Sequence, residues 1–334
     1  MKVLVLFDLP HPVSPNEKFT PEILREKRDR PTEADIITCL ESLNHEVGTL
    51  AVYDNLSDVV DRIHSFAPDA VFNLCESFFN DRAKEPNIPA LLELMKVPYT
   101  GAGPEALMLS KDKVLAKTIL IYHHIRVPRF LLSRKERPLR RLGRFTFPAF
   151  VKPSGEESSD GIAKASFARD EGEALERAKF IHERLECDAM IEEYIDGREL
   201  YVSALGDRRV TVFPPRELFF GRMPESEPRF ATFKAKWDEA YRANWGIHNG
   251  PAAPFPNGIE KRVTDLARRV YTLLRIQSLG RVDLRLTPSG ELVFIEANPN
   301  PSLEAEDDFA QSAAAAGISY PALIQKILDS ARIS

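Results

Sequence analysis

Two short segments near the C-terminal end carry charged and amide side chains at alternating positions: Arg281-Val-Asp283-Leu-Arg285, then a Pro-Ser-Gly turn, then Leu292-Val-Phe-Ile-Glu296-Ala-Asn298. In strands, alternate residues share a face, so Asp283 lies with Arg281 and Arg285, Glu296 lies with Asn298, and a hairpin register can gather all five. Carboxylate and amide oxygens collected in this way are hard donors that suit magnesium. The plainer alternative is an edge hairpin showing solvated charges. Glu296, however, directly follows the apolar run Val-Phe-Ile, and a bare carboxylate beside a core strand needs a cation, which favours a metal site.

Two lysines suggest an anion. Lys152 follows Ala-Phe-Val on a strand-like segment, and Lys113 sits in Ser-Lys-Asp-Lys; a lysine among apolar neighbours calls for a partner, with phosphate the obvious candidate. Lys111 and Lys117 flank Lys113 and are expected to face solvent. The loop 154–161, with Ser158 and Ser159, has hydroxyls and backbone N–H groups that could wrap a triphosphate, although such loops are more often ordinary turns and Glu156 and Glu157 are unexpected beside phosphate. In residues 191–199, backbone groups around Glu193 and Ile195 could read an adenine edge while Glu199 accepts ribose hydroxyls, against the plain reading of a solvated strand end.

These groups need elements to hold them. Residues 2–7 read as a buried parallel strand, 33–43 as a helix and 70–74 as a second strand, an α/β opening. Residues 10–30 are rich in proline and charge and read as a surface loop able to cover a site. A Pro/Gly turn near residue 100 marks a boundary, followed by a helix over 107–122. Strand-like segments around Lys152 and at 189–197, with a helix at 171–185 between them, predict an antiparallel α+β unit whose loop 154–161 is a hairpin connection. Further strands follow Glu199, then an irregular segment at 225–257, a helix at 259–274, the hairpin already described, and a last helix at 320–331.

Composition narrows the partners. The chain has 334 residues, 43% of them hydrophobic and 28% charged, with a net charge of −5; that supports about two or three compact subdomains and gives no reason to expect nucleic acid or an acidic membrane surface. No apolar run approaches membrane-spanning length, and the opening MKVLVLFDLP is too short for a secretory leader. A cytoplasmic protein acting on small molecules is expected. Cys39, Cys75 and Cys187 lack zinc-type spacing and read as reduced and structural.

In order along residues 70–331, the segments VPYTGAG, SKDK, FVKPSGEESSDGI, IEEYIDGRELYV, AKW around Lys236, GRVD and IEANPNP resemble the D-alanine–D-alanine ligase branch of the ATP-grasp superfamily. Each motif is weak alone; their order is specific. The resemblance implies an α/β chain with α+β subdomains, an ATP-grasp fold behind a Rossmann-like domain. It divides the chain into an N-terminal substrate domain at 1–105, a central subdomain at 106–198 and a C-terminal subdomain with the metal site at 199–334. It implies ATP between the last two, with Lys113, Lys152 and Ser159 on the phosphates and Glu192, Ile195, Glu199 and Ile295 on the nucleotide. It further implies that Lys236 approaches the γ-phosphate, that Ser158 and Arg281 serve the reaction, with Arg281 steadying the reacting carboxylate, and that Asp283, Glu296 and Asn298 hold a pair of magnesium ions, replaceable by manganese. The implied reaction joins a carboxylate to an amine through an acyl phosphate, in a protein that pairs as a homodimer.

The chain also departs from that family. LPHPVSPNEKF stands where the family has a glycine-rich motif with a glutamate for the first alanine's amine, and Glu157 replaces a phosphate-loop glycine. Ser302 and Asp307 stand at the places of a glycine and of a serine that anchors the acceptor carboxylate, in a run with Glu304, Glu306 and Asp308. An acidic pocket would disfavour a free carboxylate and favour a cationic or differently shaped amine, so a substrate pair other than two D-alanines is expected. The alternatives are ATP-grasp chemistry at another carbonyl and a non-catalytic, ATP-binding regulatory protein.

Overall fold

The computed structural model describes residues 1–14, 17–27, 29–155, 162–224 and 227–332. The apolar run after Met1 becomes β1 (Lys2–Asp8), the centre of a parallel sheet ordered β2-β1-β3 and flanked by β2 (Glu46–Val52) and β3 (Ala70–Asn73). Around it lie α1 (Pro21–Lys27), α2 (Pro31–Ser42), α3 (Leu56–Phe66) and α4 (Asn87–Leu94). Leu4 and Leu6 pack toward Val59 and Ile63 of α3, while Val3, Val5 and Phe7 face α2 and the C-terminal helices. The stretch 10–30, expected as a surface loop, instead contains α1 and is anchored: Phe19 and Leu24 are buried, and the Phe19 ring meets Phe7 edge-on at 5.3 Å. Burying those two apolar side chains outweighs the many charges around them.

The single helix expected over 107–122 is two, α5 (Pro104–Lys111) and α6 (Lys113–Tyr122). Asp112 breaks them: its carboxylate accepts the Leu115 N–H at 2.9 Å, capping α6 and placing Lys113 in its first turn. The central sheet follows, from β4 (Phe130–Ser133), β5 (Ala149–Pro153) and β6 (Phe167–Ala168), then α7 (Glu171–Phe180), then β7 (Ala189–Glu193), in antiparallel order β4-β7-β5-β6.

The large antiparallel sheet is assembled from β8 (Arg198–Leu205), β9 (Thr211–Val212) and β10 (Arg216–Phe219), then α8 (Phe233–Trp237), α9 (Glu239–Trp245), β11 (His248–Pro251), α10 (Ile259–Leu273), β12 (Leu279–Leu286) and β13 (Leu292–Asn298). Its order is β11-β10-β8-β12-β13, with β9 on β8. The segment 225–257, read from sequence as irregular, thus holds two short helices and a strand; Thr232 and Asp238 cap them through Ala235 N–H at 3.0 Å and Tyr241 N–H at 2.9 Å. Leu200, Val202, Leu284 and Phe294 point toward Val263 and Val270 of α10, which covers one face. The other face carries the polar alternates. Gly197, at φ +137°, joins β7 to β8 so close to β12 that an added Cβ would stand 2.2 Å from the Leu286 carbonyl oxygen, a place only glycine can fill.

The chain ends with α11 (Asp308–Ala315), which the sequence reading missed, and α12 (Tyr320–Asp329). Both return to the first sheet, where Phe309, Leu323 and Ile327 join its core. No described helix is long and apolar enough to cross a membrane, and all three cysteines are free.

Candidate active site

The uncovered face of the large sheet is built by register. Arg281 stands opposite Asn298 and Asp283 opposite Glu296; one residue further on, Leu284 pairs with Phe294, so Ile295 is the extra residue of a bulge in β13. A bulge releases a backbone group from the ladder, and the Ile295 carbonyl accepts Lys117 Nζ at 2.8 Å. The row through Asp283 continues across β8 at Tyr201 to Arg216 on β10. Glu296, Asp283, Tyr201 and Arg216 therefore share one face, with Arg281 and Asn298 in the next row.

Arg281 holds Asp283 through both oxygens, Nε–Oδ1 at 2.8 Å and Nη2–Oδ2 at 3.0 Å, with its guanidinium 4.8 Å above the Tyr201 ring. Burial raises the pKa of Asp283 and Glu296 adds to the rise, while Arg281 opposes both. Glu296 goes the other way. Burial alone would raise it, but Lys236, Lys113, Lys152 and Arg281 overcome that and hold it at about 2. Two facing carboxylates thus lie in a ring of cations. No three carboxylate, histidine or cysteine groups converge among the described residues, so a cation here would take two carboxylates, the Asn298 amide oxygen and outside oxygens. Magnesium accepts such a set, since it keeps waters and shares substrate phosphates. The Asn298 oxygen already accepts one hydrogen bond, from Asn300 N–H at 3.1 Å, and retains a second lone pair.

Beside this cluster, a cavity of about 650 Å³ is lined by Lys152, Glu192, Ile195, Glu199, Phe230, Lys236 and Ile295, among others. Phe150 and Phe230 meet edge-to-face at 4.8 Å and form an aromatic wall. Glu192 lies between two buried lysines, Oε2 at 2.9 Å from Lys152 and Oε1 at 3.1 Å from Lys117; the second contact is an ion pair without hydrogen-bond alignment. Burial raises Glu192, but the lysines pull it below the usual carboxylate range. Lys152 is lowered by burial and raised more by Glu192 and Glu296. For Lys117 burial wins, and its pKa falls to about 8. Glu199 is oriented by Arg285 Nη2 at 2.7 Å and by the Tyr201 hydroxyl at 2.9 Å, while Arg285 also donates to the Gly197 carbonyl at 2.8 Å.

The structure therefore brings together Lys113, Lys152, Glu192, Ile195, Glu199, Lys236, Arg281, Asp283, Ile295, Glu296 and Asn298, around the cavity or through the charges acting on Glu296. Ser158 and Ser159 lie outside the described residues. Two expectations are corrected. Lys117 is fully buried rather than solvent-facing, because Lys113, Ala116, Lys117 and Leu120 form the inward stripe of α6, and Lys111 is paired with Glu85 at 2.7 Å. Near the expected adenine edge, the backbone N–H groups of Glu193 and Tyr194 are taken by the carbonyls of Arg129 at 2.8 Å and Pro148 at 3.0 Å, while Glu193, Tyr194 and Ile195 all line the cavity. The acidic run after Asn298 is not a uniformly negative pocket, since Asp308 is neutralised by Arg216 Nε at 2.6 Å and accepts Asn249 Nδ2 at 2.6 Å. Lys117, Phe150, Phe230 and Arg216 were missed; only Lys117 had a sequence signal, its spacing of four from Lys113.

Two antiparallel β units closing on a charged cavity, behind a small parallel domain, define an ATP-grasp architecture. The fold matches the crystal structure of the D-alanine–D-alanine ligase of Bacillus anthracis complexed with ATP, with a TM-score of 0.75 at 20% identity over 99% of this chain and 97% of that one. The family described as D-ala D-ala ligase C-terminus matches residues 118–329. The D-alanine–D-alanine ligase of Moorella thermoacetica is 30% identical over 88% of this chain and 91% of its own length. The uncharacterized protein y4sG of Sinorhizobium fredii is 33% identical over 78% of this chain and 73% of its own length. The chain belongs to the D-alanine–D-alanine ligase family of ATP-dependent ligases that form C–N bonds.

Proposed function

We propose that the protein joins an amino-acid carboxylate to the amine of a second small molecule, spending ATP and passing through an acyl phosphate, with a pair other than two D-alanines. The observation that carries this reading is the Asp283–Glu296 pair, ringed by Lys236, Lys113, Lys152 and Arg281 and opening on the cavity beside Glu192 and Glu199. In this reading Ile195, Ile295 and Glu199 receive the nucleoside against the wall formed by Phe150 and Phe230, with Glu192 fixing the lysines there. Lys113 and Lys152 hold phosphate oxygens, together with Ser159, and Lys236 meets the γ-phosphate. Asp283, Glu296 and Asn298 would hold magnesium, which when bound would supply positive charge to offset that of the transferring phosphoryl group. The domain division at 1–105, 106–198 and 199–334 is part of the same proposal.

The donor carboxylate oxygen attacks the γ-phosphorus and ADP leaves. Arg281, whose Nε and Nη2 are taken by Asp283, keeps Nη1 for the donor's remaining oxygen, and Ser158 is assigned to the same step. The acceptor amine then attacks the carbonyl carbon, giving a tetrahedral intermediate that loses phosphate and a proton. Excluding water protects the acyl phosphate; the Phe233 N–H bond to the Ile162 carbonyl at 3.1 Å ties α8 to the exit of loop 154–161. A different donor is favoured by the exit of β1, where Ser77 donates to Asp8 at 2.5 Å and Arg30 pairs with Glu33 at 2.8 Å, filling that corner with internal contacts.

Phosphate release from ATP and magnesium, read against pairs of D- and L-amino acids and small amines, tests the proposal. Release that requires one particular pair, with an amide product in equal amount, is expected; nucleotide binding without release for any pair contradicts it.

A further inference from the structure

Beyond Arg281 on the polar face, Arg216 is a cation that no ATP-binding role uses. It lies in the same row as Glu296, Asp283 and Tyr201, two strands from Asp283 and so about 10 Å away at ordinary strand spacing. The Asp308 carboxylate it holds is one of the charges acting on Arg281. Nε donates to Asp308 Oδ1 at 2.6 Å, Asn249 Nδ2 donates to Asp308 Oδ2 at 2.6 Å, and Nη2 makes only a long contact of 3.4 Å to the Asn249 carbonyl. Nη1 has no hydrogen-bond partner among the described residues, yet it is not sealed off. Arg216 is thus fixed on one edge by a half-buried carboxylate and leaves its other edge unsatisfied on the face that carries Asp283 and Glu296. A guanidinium held this way matches a planar carboxylate.

We infer that Arg216, positioned by Asp308 and Asn249, is the residue of this chain that receives the acceptor's carboxylate, in a site where Asp307 stands at the place of the family's anchoring serine. The inference rests on the ligase reading and names a residue that selects its acceptor. An α-amino group attacking a carbonyl carbon held by Arg281 carries its own carboxylate one carbon further on, so a second guanidinium on the same sheet face suits it. Asp308 is spent on Arg216 and does not compete for the amine.

The test is calorimetric binding, with magnesium and a non-hydrolysable ATP analogue, of a panel of D- and L-amino acids and their α-carboxamides, alongside steady-state kinetics on the productive pair. At least one amino acid should bind about tenfold or more tightly than its carboxamide. Arg216→Met should erase that preference and raise the KM for the acceptor about tenfold with little change in the KM for ATP, while Arg216→Lys restores part of it. Because Arg216→Met strands Asp308, the double variant R216M/D308L, which removes both charges, should show the same loss. A preference that survives in R216M or in the double variant overturns the inference, as does a panel in which no carboxylate binds better than its carboxamide. Binding is read without turnover, so an absence of phosphate release with an Arg216-dependent preference would sink the ligase reading alone.

Discussion

Glu296→Gln is expected to lower kcat by about a thousandfold while leaving the affinity for ATP within about tenfold. The change keeps the side chain's shape and removes the one carboxylate that four cationic side chains hold ionised. Without it the only charged oxygens facing the cation site are those of Asp283, already held by Arg281 through two contacts, and the amide oxygens at 296 and of Asn298 bring no charge. A divalent cation supplies several kcal/mol of charge stabilisation in phosphoryl transfer, and about 4 kcal/mol corresponds to a thousandfold in rate. ATP binding survives because Lys113, Lys152 and Lys236 remain. Steady-state kinetics and calorimetry check the two halves, with a thermal melt to confirm folding; more than a tenth of the wild-type rate would contradict the assignment.

Lys117→Met is expected to raise the KM for ATP about thirtyfold and to cost about 2 kcal/mol of stability at pH 7.5. Lys117 touches no open part of the cavity, but it fixes two groups that do: the Glu192 carboxylate and the Ile295 carbonyl released by the bulge. Methionine fills the space beside the Phe294 ring, 5.4 Å from Nζ, and supplies no donor. Lys152 remains on Glu192, which keeps the loss below that of a fully broken buried pair. The pH dependence has a definite sign. Folded Lys117 titrates at about 8 against 10.5 for the ordinary side chain, so between those values the unfolded chain holds a proton that the folded chain has lost. Unfolding then takes up a proton, and the wild type gains stability relative to Lys117→Met as pH rises from 8 toward 10, by up to about 3 kcal/mol. Urea denaturation of both proteins across that range reads the difference; a gap that narrows with rising pH would refute it.

Much of this site was legible because its chemistry lies on a hairpin. Period-two spacing in Arg281–Arg285 and Glu296–Asn298 needs only a turn between them to become a cluster, and Lys152 was conspicuous among apolar neighbours. What escaped depended on contacts distant in sequence. Lys117 read as an ordinary exposed lysine because its partners, Glu192 and Ile295, lie far along the chain, although its place in the inward stripe with Lys113, Ala116 and Leu120 marked it. Arg216 could not be placed, since only the pairing of β10 with β8, and of β8 with β12, sets it in the row of Asp283. The acidic run after Asn298 looked uniformly charged for the same reason: Asp308 carries its own counterion from another strand. The helices α1, α8 and α9 are five to seven residues long, too short for periodicity to show, and they exist because caps and a few buried side chains hold them.

A donor carboxylate that is phosphorylated before the amine attacks gives up one of its oxygens to the phosphate. With the productive pair in hand, the donor would be labelled with ¹⁸O in its carboxylate and the released phosphate analysed by mass spectrometry. An acyl phosphate predicts one ¹⁸O atom carried from the donor into each phosphate, with the amide retaining the other and ADP unlabelled. Unlabelled phosphate formed alongside the amide would contradict the account.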